Sequence, residues 1–94
     1  MKNFWQDLPK PFTALAPMDG VTDIVFRQII AKIGRSDVFF TEFVNCAGIL
    51  SSGKKRVSEH LKFGTNEKPI VAQIWGTNPE SFYKVARYIR KLGF

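Results

Sequence analysis

Leu15-Ala16-Pro17-Met18-Asp19-Gly20-Val21-Thr22-Asp23 is the stretch in which a short apolar run stops and a helical pattern begins. Pro17 ends ladder pairing because it has no N–H to donate. Gly20 permits a sharp turn or the close approach of a ligand. Thr22 and Asp23 are residue types that cap a helix. The stretch reads as a strand-to-helix junction. In parallel α/β folds, ligands gather at such junctions, beyond the carboxyl ends of the strands.

Around this junction the chain divides into three units. Upstream, residues 1–12 form a polar lead-in punctuated by Pro9 and Pro11. The apolar segment Thr13–Ala16 predicts a buried strand. After the junction, Phe26, Ile29, Ile30 and Ile33 recur at helical spacing, with Arg27, Gln28 and Lys32 off that stripe and Gly34 as a stop signal. The second unit opens with the β-forming run Val38–Phe43. A short helical segment is expected over Val44–Leu50, an exposed basic loop over residues 51–56, a helical turn over Val57–Leu61 and a polar loop over Gly64–Lys68. The third unit has a nearly continuous apolar strand, Ile70–Trp75, as parallel sheets require. Asn78 then suits a helix N-cap, Pro79 the first helical position, and Glu80 the positive end of the dipole. Phe82, Val85, Ala86 and Ile89 make its buried stripe, and Gly93 closes it.

Three consecutive strand–helix units imply a parallel sheet. A closed βα barrel takes about 250 residues, whereas this chain has 94. Three parallel strands alone would leave two apolar edges open, and Leu92-Gly93-Phe94 stands where a fourth strand should start. The expectation is the front part of a larger protein.

Composition narrows the function classes. With 45% hydrophobic residues the chain has enough apolar material for a core, so disorder is excluded. No apolar run approaches the roughly 20 residues that span a bilayer. Met1-Lys2-Asn3-Phe4-Trp5 lacks the pattern of a secretory signal. The single cysteine, Cys46, forms no internal disulfide, which points to a reducing, cytoplasmic setting. No His/Cys cluster has metal-ligand spacing, so no metal site is expected. The net charge of +6, from 14 basic and 8 acidic residues, favours acidic partners, nucleic acid first.

Three motifs carry a family resemblance. Ala16–Asp23 with Phe26-Arg27, then Thr41-Glu42-Phe43, then Val71–Glu80 resemble, in order and in spacing, the opening of the tRNA-dihydrouridine synthases. The likeness runs from about Phe12 to Phe94. It implies the first three βα units of a truncated (β/α)8 TIM barrel, with the remaining units and a C-terminal helical domain absent. It further implies an FMN enzyme, monomeric at full length, that uses NADPH to reduce the flavin and then the C5=C6 bond of particular tRNA uridines. The family's general-acid cysteine lies beyond Phe94, so no catalytic residue is expected within this chain, and residues 1–94 alone are expected to be inactive. Two other readings remain open: an FMN-dependent barrel acting on a small dihydropyrimidine-type substrate, and a short basic RNA-binding protein without chemistry.

The resemblance implies FMN contacts at Pro17, Met18 and Asp19, although a proline-terminated strand with Met18 filling space also accounts for the first two, and turn formation for Asp19. Gln73 is the strongest single side chain. A neutral amide in an apolar run needs partners if buried; its donor and acceptor can pair with the carbonyl and imide N–H of a flavin ring, or cap a neighbouring strand end. Glu42 and Asn45, near the end of the second strand, are candidates for substrate contact, with a structural carboxylate as the alternative for Glu42. Asn45-Cys46-Ala47-Gly48 faintly echoes the family's catalytic segment, but in the wrong order and on the wrong strand, so Cys46 reads as a small buried cysteine. His60 reads as a surface residue. Lys54-Lys55-Arg56 fits either an RNA backbone contact or a solvated loop. Phe4 and Trp5 are expected to pack at the end or edge of the barrel.

Overall fold

The computed structural model describes residues 3–94. A 3-10 turn at Phe4–Asp7 leads to β1 (Ala14–Leu15), the 17–20 turn and α1 (Ile24–Gly34). Then come β2 (Val38–Phe40), β3 (Val44–Asn45), α2 (Cys46–Ile49) and α3 (Lys54–Val57). Two 3-10 turns, Ser58–Leu61 and Thr65–Glu67, precede β4 (Ile70–Val71), β5 (Ile74–Trp75) and α4 (Pro79–Leu92).

All strand pairing is parallel. β2 lies between β1 and β4, with Ala14 opposite Val38 and Phe39 opposite Ile70. β3 pairs with β5, Val44 opposite Ile74. The third predicted strand is thus split in two, whereas the second stops at Phe40, and β3 takes Val44 and Asn45 from the segment expected to be helical. Thr41 N–H still donates to Val71 O at 2.9 Å and Val44 N–H to Gln73 O at 2.8 Å, so bonding runs across the break. The break arises where Gln73 N–H donates to the Thr41 hydroxyl, 3.1 Å, instead of to a carbonyl. A side-chain acceptor has replaced a backbone one and the ladder steps aside.

The caps fall where the residue types place them. Asp23 accepts from Phe26 N–H and heads α1, and Asn78 accepts from Glu80 N–H and heads α4. Gly93 closes α4 at φ +104°, a left-handed conformation that glycine adopts without a Cβ clash. Gly34, by contrast, is the last helical residue of α1, and Arg35 forms the cap in an extended conformation. The basic run expected as loop is mostly helical: Lys54–Arg56 begin α3. Near the chain start, Trp5 packs between Phe4 and Phe12, ring centroids 4.6 and 5.9 Å apart, and Phe4 borders Ile70 and Phe94 at the entry end of β4.

The core lies between the β3–β5 ladder and α4. Val44, Cys46, Ile49, Leu61, Val85 and Ile89 form it, with Ala72, Ile74 and Phe82 packed against it. Val44, Ala72 and Ile74 face the helices, leaving Phe43, Gln73 and Trp75 exposed on the other side. On α4 the expected stripe is only partly covered: Val85 and Ile89 are buried, Phe82 half-buried and Ala86 exposed.

Helix α1 overturns one sequence expectation. Arg27, expected off the apolar stripe, is 1% exposed, while Ile33, expected on it, is 82% exposed. Phe26, Ile30, Val71 and Ile74 are only half-buried. The reason is a polar cluster. Arg27 Nε donates to Glu67 Oε1 at 2.5 Å, Nη1 to Thr22 O at 2.8 Å and Nη2 to Lys62 O at 2.6 Å. The second Glu67 oxygen accepts from Gln28 and from Gly64 N–H. Each guanidinium nitrogen and both carboxylate oxygens have a partner, which is the condition under which buried charges persist. The residues expected to form a polar loop thus become a clamp on α1.

Candidate functional site

Because the strands run parallel, Pro17, Glu42 and Gln73 lie at the same end of the sheet, just past β1, β2 and β4. The 17–20 turn is closed by Thr22, which is fully buried. Its hydroxyl accepts from Met18 N–H at 2.8 Å and lies 3.2 Å from Met18 O. Val21 N–H and Thr22 N–H also donate to Met18 O. Gly20 takes φ +75°, which disfavours any residue with a Cβ. These bonds fix the turn and leave Met18 41% exposed, with Asp19 also in solvent and Pro17 half-buried.

Glu42 is 3% exposed. Its Oε2 accepts from Gly20 N–H at 2.5 Å, and its Oε1 lies 3.5 Å from His60 Nδ1. The carboxylate is therefore a strut between the first junction and the 58–61 turn, the structural alternative the sequence left open. His60 is exposed, as expected of a surface residue, and borders the cleft of about 380 Å³ formed with Gly20, Asp23, Ile24, Glu42 and Glu59. Nothing in the sequence pairs residue 42 with residue 60, and no local signal would have found the contact.

Thr41 supplies the second strut. Fully buried, it donates to Glu42 O at 2.9 Å and accepts from Gln73 N–H. Two side chains at the end of β2 thus tie the first junction to the third strand. The Gln73 side chain is exposed and makes no hydrogen bond to the described residues, so its amide donor and acceptor are both available. Beside it, Phe43 meets Trp75 edge-on with centroids 6.3 Å apart.

Asn45 caps α2, its carbonyl oxygen accepting from Ala47 N–H at 2.9 Å, and its amide nitrogen has no partner among the described residues. Asn45, Trp75, Gly76 and Asn78 line a cleft of about 170 Å³ at the heads of α2 and α4. Cys46 is fully buried in the core, and desolvation pushes its thiol above the usual range while a backbone hydrogen bond opposes the shift. Among the described residues, no group of His, Cys, Asp or Glu has the arrangement of a metal site. Nor is any helix long and apolar enough to cross a membrane.

A proline-closed strand, a locked glycine turn and an exposed amide thus share one end of a parallel α/β sheet, the end at which such folds place their ligands. Residues 14–94 match the sequence profile of the dihydrouridine synthase (Dus) family, and the chain belongs to that family. It is 50% identical over 94 residues to the probable tRNA-dihydrouridine synthase 2 of Bacillus subtilis strain 168, covering 99% of this chain and 29% of that protein. It is 47% identical to the probable tRNA-dihydrouridine synthase of Staphylococcus aureus strain COL, and 46% identical to that of Staphylococcus epidermidis strain RP62A, with the same coverage. The chain thus spans 29% of the length of the curated relatives it matches.

Proposed function

We propose that residues 1–94 are the N-terminal part of the FMN-binding barrel of a cytoplasmic tRNA-dihydrouridine synthase. The enzyme reduces uridines in tRNA with NADPH. The observation that carries this reading is the convergence of the 17–20 turn, Glu42 and Gln73 at one strand end, tied together by the Gly20–Glu42 and Thr41–Gln73 hydrogen bonds. Together with family membership it favours FMN over a purely RNA-binding role.

The residues present fit a flavin. Gln73 offers an exposed amide with no partner among the described residues, whose donor and acceptor suit the carbonyl and imide N–H of an isoalloxazine ring. Met18 offers a polarizable apolar surface at the same end. When bound, reduced FMN would supply the hydride, and a general acid the proton, that together saturate C5=C6 of the uracil ring. The chain's own part is to hold and orient. Pro17, Met18 and Asp19 form one wall, and Gln73 fixes the ring edge by hydrogen bonds. Asn45, whose amide nitrogen is free, faces the substrate from the end of β3. Glu42 holds Gly20, and with it the Met18–Asp19 backbone, in register with the second strand. Ordering these groups before the substrate arrives lowers the entropic cost of reaching a reactive geometry.

The test uses the full-length protein. It should purify with FMN and form dihydrouridine in unmodified tRNA when NADPH is supplied. A protein that holds no flavin overturns the reading. An FMN-loaded protein that ignores tRNA and reduces a free pyrimidine would replace it with the small-substrate alternative.

A further inference from the structure

The chain's net charge is concentrated in one place. Lys54, Lys55 and Arg56 on α3, with Lys84, Arg87, Arg90 and Lys91 on α4, are seven of the 14 basic residues, and Glu80 is the one acidic residue on these two helices. Seven positive charges against one negative account for the entire +6; the rest of the chain balances at seven against seven. All seven basic side chains are exposed. Glu80 is matched by Lys84 at 3.3 Å, so it does not neutralise the others.

The two helices form one surface. Lys54 Nζ stands 4.4 Å from the centroid of the Tyr88 ring, which brings the start of α3 against the flank of α4. On α4 the buried direction is set by Val85 and Ile89. Helical spacing puts Arg87, Arg90 and Lys91 on the opposite side, with Lys91 nearest Tyr88 and hence nearest Lys54. Arg87 Nη1 donates to the Tyr83 hydroxyl at 3.0 Å, and Tyr83 itself is 62% exposed. An open cleft of about 500 Å³ between Tyr83, Arg87, Arg90 and Lys91 completes the surface. Guanidinium groups present planar forks that match phosphate oxygens, and an exposed ring beside them adds a stacking face.

We infer that this α3–α4 face is a docking surface for the sugar-phosphate backbone of RNA, separate from the ligand end of the strands. The inference rests on the proposed function, which supplies tRNA as the polyanion. Charge complementarity selects it: the patch is dense, one-signed and backbone-like in its donor geometry, as counterion-releasing contacts require.

The experiment replaces Arg87, Arg90 and Lys91 together by Gln in the full-length protein, with Lys55→Gln/Arg56→Gln as a second variant on the other helix. Unmodified tRNA is titrated at several salt concentrations, and FMN content is measured in parallel. Each lost phosphate contact should remove about 0.7–0.9 from the slope of log affinity against log salt. The triple variant should thus flatten the slope by about 2–3 and weaken binding by about tenfold or more at low salt. FMN content should remain that of the parent, which also shows that the variant folds. Unchanged tRNA affinity and slope in both variants overturn the inference. So does a loss confined to binding of phosphatidylserine vesicles, which would make the face a membrane contact. Failure of the functional reading looks different: the unsubstituted protein itself would bind no FMN or form no dihydrouridine.

Discussion

Replacing Arg27 by Met should destabilise the protein by about 3–5 kcal/mol, the usual cost of breaking a buried ion pair from one side. Arg27 and Glu67 are 1% and 0% exposed, so solvent screening gives no relief. The substitution removes three charge-assisted bonds at once, to Glu67, Thr22 O and Lys62 O. Each such bond contributes about 1.5–3 kcal/mol, but the sum overstates the loss because Met restores apolar contact and the carbonyls relax toward water. What relaxation does not repair is the Glu67 charge, left with Gln28 and Gly64 N–H as its donors. Glu67→Leu should cost a similar amount by stranding the guanidinium. The double variant should therefore cost much less than the two singles added, with a coupling of at least about 2 kcal/mol. Equilibrium urea unfolding of the full-length protein and its three variants measures the cycle. Additive effects, or single variants within about 0.5 kcal/mol of the parent, would refute the reasoning that this pair clamps α1 to the 65–67 turn.

Other expectations concern single positions. Gln73→Ala should weaken FMN binding by roughly 1–3 kcal/mol, read by flavin fluorescence titration, because it deletes a buried donor and acceptor in the complex; unchanged affinity removes Gln73 from the site. Gly20→Ala should cost about 1–2 kcal/mol in a thermal or urea melt, since φ is +75° and the added methyl meets no atom within 4 Å, so backbone strain is the whole effect. Cys46 has its pKa raised by burial, so folding suppresses the thiolate. Stability from this group is complete below the thiol's unfolded pKa and declines as pH rises toward the folded value. Thiol labelling at pH 8 should accordingly be slow in the folded protein and fast in urea, and equal rates would show an accessible thiolate. Cys46→Ala should leave uridine reduction near that of the parent, and lost turnover in a folded, FMN-loaded variant would assign this thiol a chemical role.

Much of the architecture is local, and local features are written in the residues themselves. Pro17, Gly20, Asp23, Asn78, Pro79 and Gly93 act within a few positions of where they stand, so the end of β1, the start of α1 and the boundaries of α4 were legible. Parallel order followed from alternation of strand and helix, and with it the placing of Pro17, Glu42 and Gln73 at one end. Tertiary structure alone decided what those residues touch. The Arg27–Glu67 pair spans 40 positions, Thr41–Gln73 32 and Gly20–Glu42 22. No periodicity encodes such partners, because hydrogen bonds at that separation depend on how the strand ends are brought together. The same holds for the stripe of α1. Periodicity marks Ile33 and Arg27 by residue type, whereas burial follows the neighbour each one meets. A glutamate with both oxygens satisfied can draw an arginine inward more firmly than an unopposed apolar face draws an isoleucine.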